Sequence, residues 1–153
     1  MADAVTRMDE IKRKVRKLKK LEVRIRFNGI NDSGRDLIWG HFFELRETND
    51  SRAKYSLRML ASMNQEEYEN VINEYLSFVY YELYKKNGIS SEEGIYDPGI
   101  LSRLDLPINA DENNIKKRFR ALAKKYHPDA GGDAAMFIEL RENYNKLLGK
   151  QKW

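Results

Sequence analysis

Ile115-Lys-Lys-Arg-Phe-Arg-Ala-Leu-Ala-Lys-Lys-Tyr-His-Pro-Asp-Ala-Gly-Gly-Asp133 is the stretch that decides how this chain folds. Apolar residues at Ile115, Phe119, Leu122, Ala123 and Tyr126 fall on one stripe of an α-helix. Lys116, Lys117, Arg120 and Lys124 fall opposite them and make the free face positive. The helix must stop near Tyr126: the ring of Pro128 restricts the residue before it to extended backbone and cannot donate to a helical ladder. Gly131-Gly132 then permits a tight reversal. Phe137, Leu140, Tyr144 and Leu147 follow at spacings of three, four and three, which predicts a second amphipathic helix. The stretch is thus a helical hairpin with a His-Pro-Asp bend at its tip.

Length and composition bound the rest. The chain has 153 residues, room for one ordinary domain or two small ones. Mean hydropathy is −0.75 and 34% of residues are charged, yet nine Tyr and six Phe can supply a core. With no cysteine, disulfide frameworks and thiolate metal sites are excluded, which suits a reducing cytosol. The expectation is a cytoplasmic protein, since no stretch resembles a leader peptide or a membrane span. Net charge is +4, unevenly distributed. Residues 1–26 carry ten Lys and Arg against four Asp and Glu; residues 27–99 carry seven against thirteen; residues 100–153 carry eleven against seven. Two basic ends flank an acidic middle.

Residues 5–20 read as a helix with a narrow seam of Met8, Ile11, Val15 and Leu18. Lys12, Arg13, Lys14, Arg16, Lys17, Lys19 and Lys20 cover most of its remaining surface. Such a face can lie solvated against the acidic middle segment, contact the phosphates of a nucleic acid or ribosome, or rest on an anionic membrane. Leu21, Val23, Ile25 and Phe27 alternate with polar residues as in a strand, although the helix can equally continue through them. Helices are expected at about 35–46, 51–63 and 65–87. Asn31–Gly34, Asn49 or Asp50, and an Asn64–Glu67 box are their candidate caps. Tyr55, Met59, Leu60 and Met63 are expected to face inward, as are Tyr68, Ile72, Tyr75, Val79 and Leu83. His41 reads as a buried or half-buried structural histidine. Gly94 and Pro98 break helices in a connector at 89–98, where a domain boundary is placed (1–95 and 98–153).

The hairpin and its surroundings resemble the J-domain of the DnaJ family of co-chaperones. Leu101 to Pro107 is similar to the family's short first helix and following proline; Asn109 and Glu112 read as a capping box opening the second; Phe137 to Leu147 is similar to the third. The fold implied is mostly α: an N-terminal helical segment packed on a C-terminal J-domain hairpin. The resemblance implies docking on an ATP-bound DnaK-type chaperone and stimulation of its ATPase, with His127, Pro128 and Asp129 as the essential turn. Lys116, Lys117, Phe119, Arg120, Lys124 and Lys125 then form or border the partner-facing surface. Three features depart from the family pattern. Ala121 stands where a second basic residue is usual, the turn is short, and neither the fourth helix nor the Gly/Phe-rich and zinc-binding regions are expected. A three-helix unit of this size has a marginal core, so the N-terminal helices are expected to pack on it, with Trp153 closing the seam.

No glycine-rich phosphate cradle, metal-ligand cluster or nucleophile–base set is present, so neither catalysis nor a cofactor is expected. As a purely local device, the His-Pro-Asp turn would tolerate Asn, Ser or Gly at its polar positions. A carboxylate beside a row of cations suits docking better: the row attracts an acidic partner at long range and Asp129 makes one short directional contact. Two rivals remain: a nucleic-acid- or ribosome-binding protein that keeps the fold as scaffold, and an interaction module that no longer stimulates an ATPase. The client is not readable.

Overall fold

The computed structural model describes residues 2–30, 34–48 and 52–149. The chain divides into two compact units, the first ending at Leu83 and the second beginning at Tyr84. Among the described residues there are seven α-helices and a single two-residue strand pair, a mostly α fold.

Unit 1 is built on α1 (Ala2–Phe27), which runs straight through the alternating stretch at 21–27. Alternation loses to a buried hydrogen-bond centre that only a helix can build there. Glu22 is 0% exposed, and its carboxylate accepts hydrogen bonds from Ile38 N–H (2.8 Å), Trp39 N–H (2.9 Å) and the Tyr75 hydroxyl (2.8 Å). Arg26, one helical turn on, pairs with it at 2.8 Å. A buried acid requires this many donors, because an uncompensated charge away from water is costly. Asn28-Gly29, a turn signal in sequence, acts as a helix stop: both residues have positive φ (53° and 83°), and Gly29 N–H returns to Val23 C=O.

The helix expected at 35–46 is one short turn, α2 (Ile38–Phe42). Its N-terminal N–H groups are satisfied by Glu22, on another helix, and the proposed caps at 31–33 lie outside the described residues, as do Asn49 and Asp50. The chain then extends through β1 (Phe43–Glu44), paired in parallel with β2 (Tyr55–Ser56) in the register Phe43↔Tyr55 and Glu44↔Ser56. Extended backbone puts Phe43 and Leu45 into the core with Glu44 between them, an arrangement a continuing helix could not give. Ser56 caps α3 (Leu57–Ser62), so this helix begins later than 51 and is shorter than expected. Leu60 faces inward as expected, but the later start also turns Leu57 inward and leaves Met59 exposed, contrary to expectation. His41 is exposed as well, with Nε2 2.8 Å from the Asp36 carboxylate; it is not a core histidine.

α4 (Gln65–Lys86) matches the expected long helix, capped by Asn64 Oδ1 on Glu67 N–H at 2.8 Å. Val71, Tyr75 and Val79 are its buried residues. Phe42 meets Tyr75 and Phe78 edge-on at 5.6 and 5.2 Å between ring centroids, and Phe43 meets Tyr75 at 5.2 Å, a favourable geometry for aromatic rings. Ile11 and Val15 of α1 close the same core.

Unit 2 contains α5 (Pro98–Arg103), α6 (Glu112–Tyr126) and α7 (Ala134–Leu148). Ser90 and Glu93 form a capping box on a single 3₁₀ turn, Ser91–Glu93, within the stretch read as a connector. Pro98 opens a helix instead of breaking one. It sits in the first turn, where its missing N–H costs nothing, and Asp97 accepts from Gly99 N–H at 2.8 Å. The box on α6 is also displaced. Asp111 and Asn114 cap each other's backbone (2.8 and 3.0 Å), where Asn109 and Glu112 were expected to do so. Ile100, Leu101, Leu104, Ala110, Ile115, Leu140, Leu147 and Leu148 are buried together, with Phe119, Leu122, Tyr126 and Tyr144 packed around them.

Candidate functional site

The tip of the hairpin follows from three backbone constraints. Tyr126 ends α6, and His127 takes extended backbone (φ −61°, ψ 130°), as the residue before a proline must. Pro128–Ala130 forms a 3₁₀ turn, after which Gly131 adopts φ 79°. Ala130 and Gly132 both donate to the His127 carbonyl at 3.0 Å, so one oxygen gathers the turn. Asp133 then caps α7 through Ala135 N–H at 2.9 Å. Phe119 stacks on Tyr144 (4.2 Å between centroids) and His127 meets Phe137 edge-on (5.1 Å), so α6 and α7 run antiparallel.

Within the turn, His127 and Asp129 have different tasks. His127 Nδ1 accepts a hydrogen bond from Asp129 N–H at 3.1 Å, so in neutral histidine the proton sits on Nε2. That bond, with the ring's packing on Phe137, fixes the bend. The carboxylate of Asp129 is left over. Its side chain is 94% exposed, and among the described residues its nearest ionisable neighbour is His127 Nδ1, at 3.8 Å. Because Nδ1 accepts from the backbone, it offers this carboxylate no proton.

Beside the turn, Lys117, Arg120, Lys124 and Lys125 are exposed. Ala121 is exposed among them and leaves a gap in the strip. Two cations of α6 are otherwise engaged. Lys116 is half-buried and pairs with Glu112 at 3.1 Å. Arg118 donates to Leu104 C=O at 2.8 Å and reaches Asp105 at 3.3 Å, fastening α6 to the end of α5. Phe119 is half-buried and, with Ala123, Lys124, His127, Asp129 and Phe137, lines a shallow, largely apolar groove that opens beside the exposed carboxylate. Sequence reasoning did not find this groove, because it forms only when Phe137 of α7 comes opposite Phe119 and Ala123 of α6.

The six cations singled out on α1 lie in unit 1, apart from this turn in the chain. Arg13, Arg16, Lys17, Lys19 and Lys20 are exposed and Lys12 is half-buried. Among the described residues, no group of three or more His, Cys, Asp or Glu side chains could hold a metal ion, and no helix is long and apolar enough to cross a membrane.

A hairpin of this geometry with an outward acid at a His-Pro-Asp bend defines a J-type helical unit. Comparison with known proteins agrees: the family model described as DnaJ domain matches residues 102–152, so the C-terminal third of the chain carries a DnaJ domain. The chain is similar to the Translocation protein SEC63 homolog of Mus musculus and of Homo sapiens, 37% identical over 68 residues, which is 44% of this chain and 9% of theirs. It is also similar to the DnaJ-like protein MG200 homolog of Mycoplasma pneumoniae, 48% identical over 52 residues, 32% of this chain and 6% of that one. The matched segment is thus under a tenth of each relative's length. No solved structure matches.

Proposed function

We propose that the protein is a co-chaperone that docks on a DnaK-type chaperone and stimulates its ATPase. The observation that carries this reading is the carboxylate of Asp129, 94% exposed and held at a bend fixed by the bond from Asp129 N–H to His127 Nδ1. Such a group gains most from a cation on a partner, because no internal bond has to be broken first. Lys117, Arg120, Lys124 and Lys125 steer the encounter through long-range attraction, and the groove between Phe119 and Phe137 receives an apolar side chain. Docking accelerates hydrolysis only by favouring the partner's hydrolysis-competent conformation over its resting one. His127 and Pro128 hold the acid in place; Lys116 and Phe119 border the surface. Unit 1 selects the client or location, and the protein works in the cytoplasm. The translocation in the relatives' name belongs to proteins of which only 9% is aligned here.

The test is steady-state ATP hydrolysis by a DnaK-type chaperone with and without the protein. The parent chain is expected to raise the rate, and Asp129→Asn to abolish the stimulation while leaving the helical content unchanged. Equal stimulation by the two proteins would overturn the proposal.

A further inference from the structure

The basic face of α1 carries more charge than unit 1 uses. Among the described residues none of Lys12, Arg13, Arg16, Lys17, Lys19 and Lys20 is in an ion pair; Glu10 takes Lys14 and Glu22 takes Arg26. From Lys12 to Lys20 the row rises about 12 Å along the helix, the span of two phosphate steps in an extended strand. It runs to a cleft of about 630 Å³ lined by Arg16, Trp39, Phe43, Glu44, Arg46 and Arg52 among others. Arg46 is held by Glu44 at 2.9 Å, while Arg16 and Arg52 make no ion pair with a described residue. Trp39 is pre-set: its Nε1–H donates to Val15 C=O at 2.8 Å, and Lys19 Nζ lies 5.1 Å from the ring centroid.

Four kinds of partner can meet a basic surface, and the structure separates them. An anionic membrane binds helices that also insert an apolar face. Here Ile11, Val15 and Val23 of α1 are buried and Leu18 is packed against the core, so that face is already used. A nucleic-acid duplex would engage the row and leave the aromatic cleft empty, because its bases stay stacked, and an acidic protein offers no regular string of phosphates to follow the row. A single strand uses both, because its phosphates follow the row and an unstacked base enters the cleft against the indole. The cleft has the volume of sites that hold small ligands.

We propose that unit 1 binds single-stranded nucleic acid, with phosphates along Lys12, Arg16, Lys17 and Lys20 and one base in the Trp39 cleft between Arg16 and Arg52. The inference is independent of chaperone docking, and its test involves no ATPase. Trp39 and Trp153 are the two tryptophans, so Trp153→Phe leaves Trp39 as the sole indole reporter. This full-length protein is titrated with labelled oligouridylate and oligothymidylate of about 12 nucleotides. The expected result is binding to at least one of them, followed by anisotropy and accompanied by quenching of Trp39. The triple variant Lys12→Gln/Lys17→Gln/Lys20→Gln changes partly or fully exposed side chains without ion-pair partners. It is expected to bind at least tenfold more weakly, with a salt slope shallower by about 2. Arg52→Gln is expected to weaken both binding and quenching. Any one of four outcomes would overturn the proposal: neither oligonucleotide binding; equal affinity for a duplex of the same length; binding without a change in Trp39 emission; or capture on phosphatidylserine vesicles with none on oligonucleotides.

Discussion

A single carboxylate organises each unit, and the two are handled in opposite ways. Glu22 is fully buried and takes hydrogen bonds from two backbone amides, a tyrosine and an arginine; Asp129 is almost fully exposed. Replacing Glu22 by Gln keeps the shape but turns an amide N–H₂ toward groups that donate. The expected loss is about 3 kcal/mol, read as a lower urea midpoint for unit 1. The same centre has a pH signature. Burial, then Glu22's charge and hydrogen bond, push the Tyr75 phenol up; burial, then the bond to Glu74, push Tyr55 up to about 12. A raised value means that the fold favours the neutral phenol. This stability is fully present below the ordinary tyrosine value of 10.0 and is lost as pH rises through the folded value. The urea midpoint of unit 1 is therefore expected to stay level up to about pH 9 and to fall above 10, less steeply in Tyr55→Phe.

Among the elements, the turn between α6 and α7 is the most exacting. A Cβ placed on Gly132 would lie 2.3 Å from the carbonyl carbon of Tyr126, a backbone atom that cannot swing aside. Gly132→Ala is expected to cost about 2 kcal/mol or more and to lower both the melting temperature of unit 2 and ATPase stimulation, since Asp129 rides on the same turn. This hairpin was readable in advance because its signals are local: a proline that stops one helix, two glycines, and apolar residues at helical spacing. α4 was readable for the same reason. The region from 35 to 63 was not. Its short helix is capped by Glu22, sixteen residues earlier, and Phe43 to Leu45 extends because the core needs Phe43 and Leu45 on one side. Neither cause appears in a local window, and the Asp111–Asn114 and Ser90–Glu93 caps show that even local signals compete when several polar residues are adjacent. The site divides likewise: the bend and its cations were legible, whereas the engagement of Lys116 by Glu112 and the groove against Phe137 depend on side-chain geometry.

For the whole molecule, net charge of +4 conceals two basic rows, one on α1 in unit 1 and one on α6 in unit 2. On α6 the row and the acid at its end are expected to be separable in kinetics. Reversing the charge of Lys117, Arg120 and Lys124 together should raise the concentration giving half-maximal ATPase stimulation and keep the maximum. Asp129→Asn should remove the maximum. Added salt should reproduce the first effect and not the second, because screening acts on the long-range attraction more than on a contact pair.

The position of Glu22 also has a consequence for the order in which the protein is made. The acid leaves the ribosome before its donors, because Ile38 and Trp39 come later in the chain and Tyr75 later still. A nascent chain that stops short of Tyr75 holds an acid without its full set of partners and an apolar seam without its cover. The full set of donors around Glu22 therefore exists only once residue 75 has emerged.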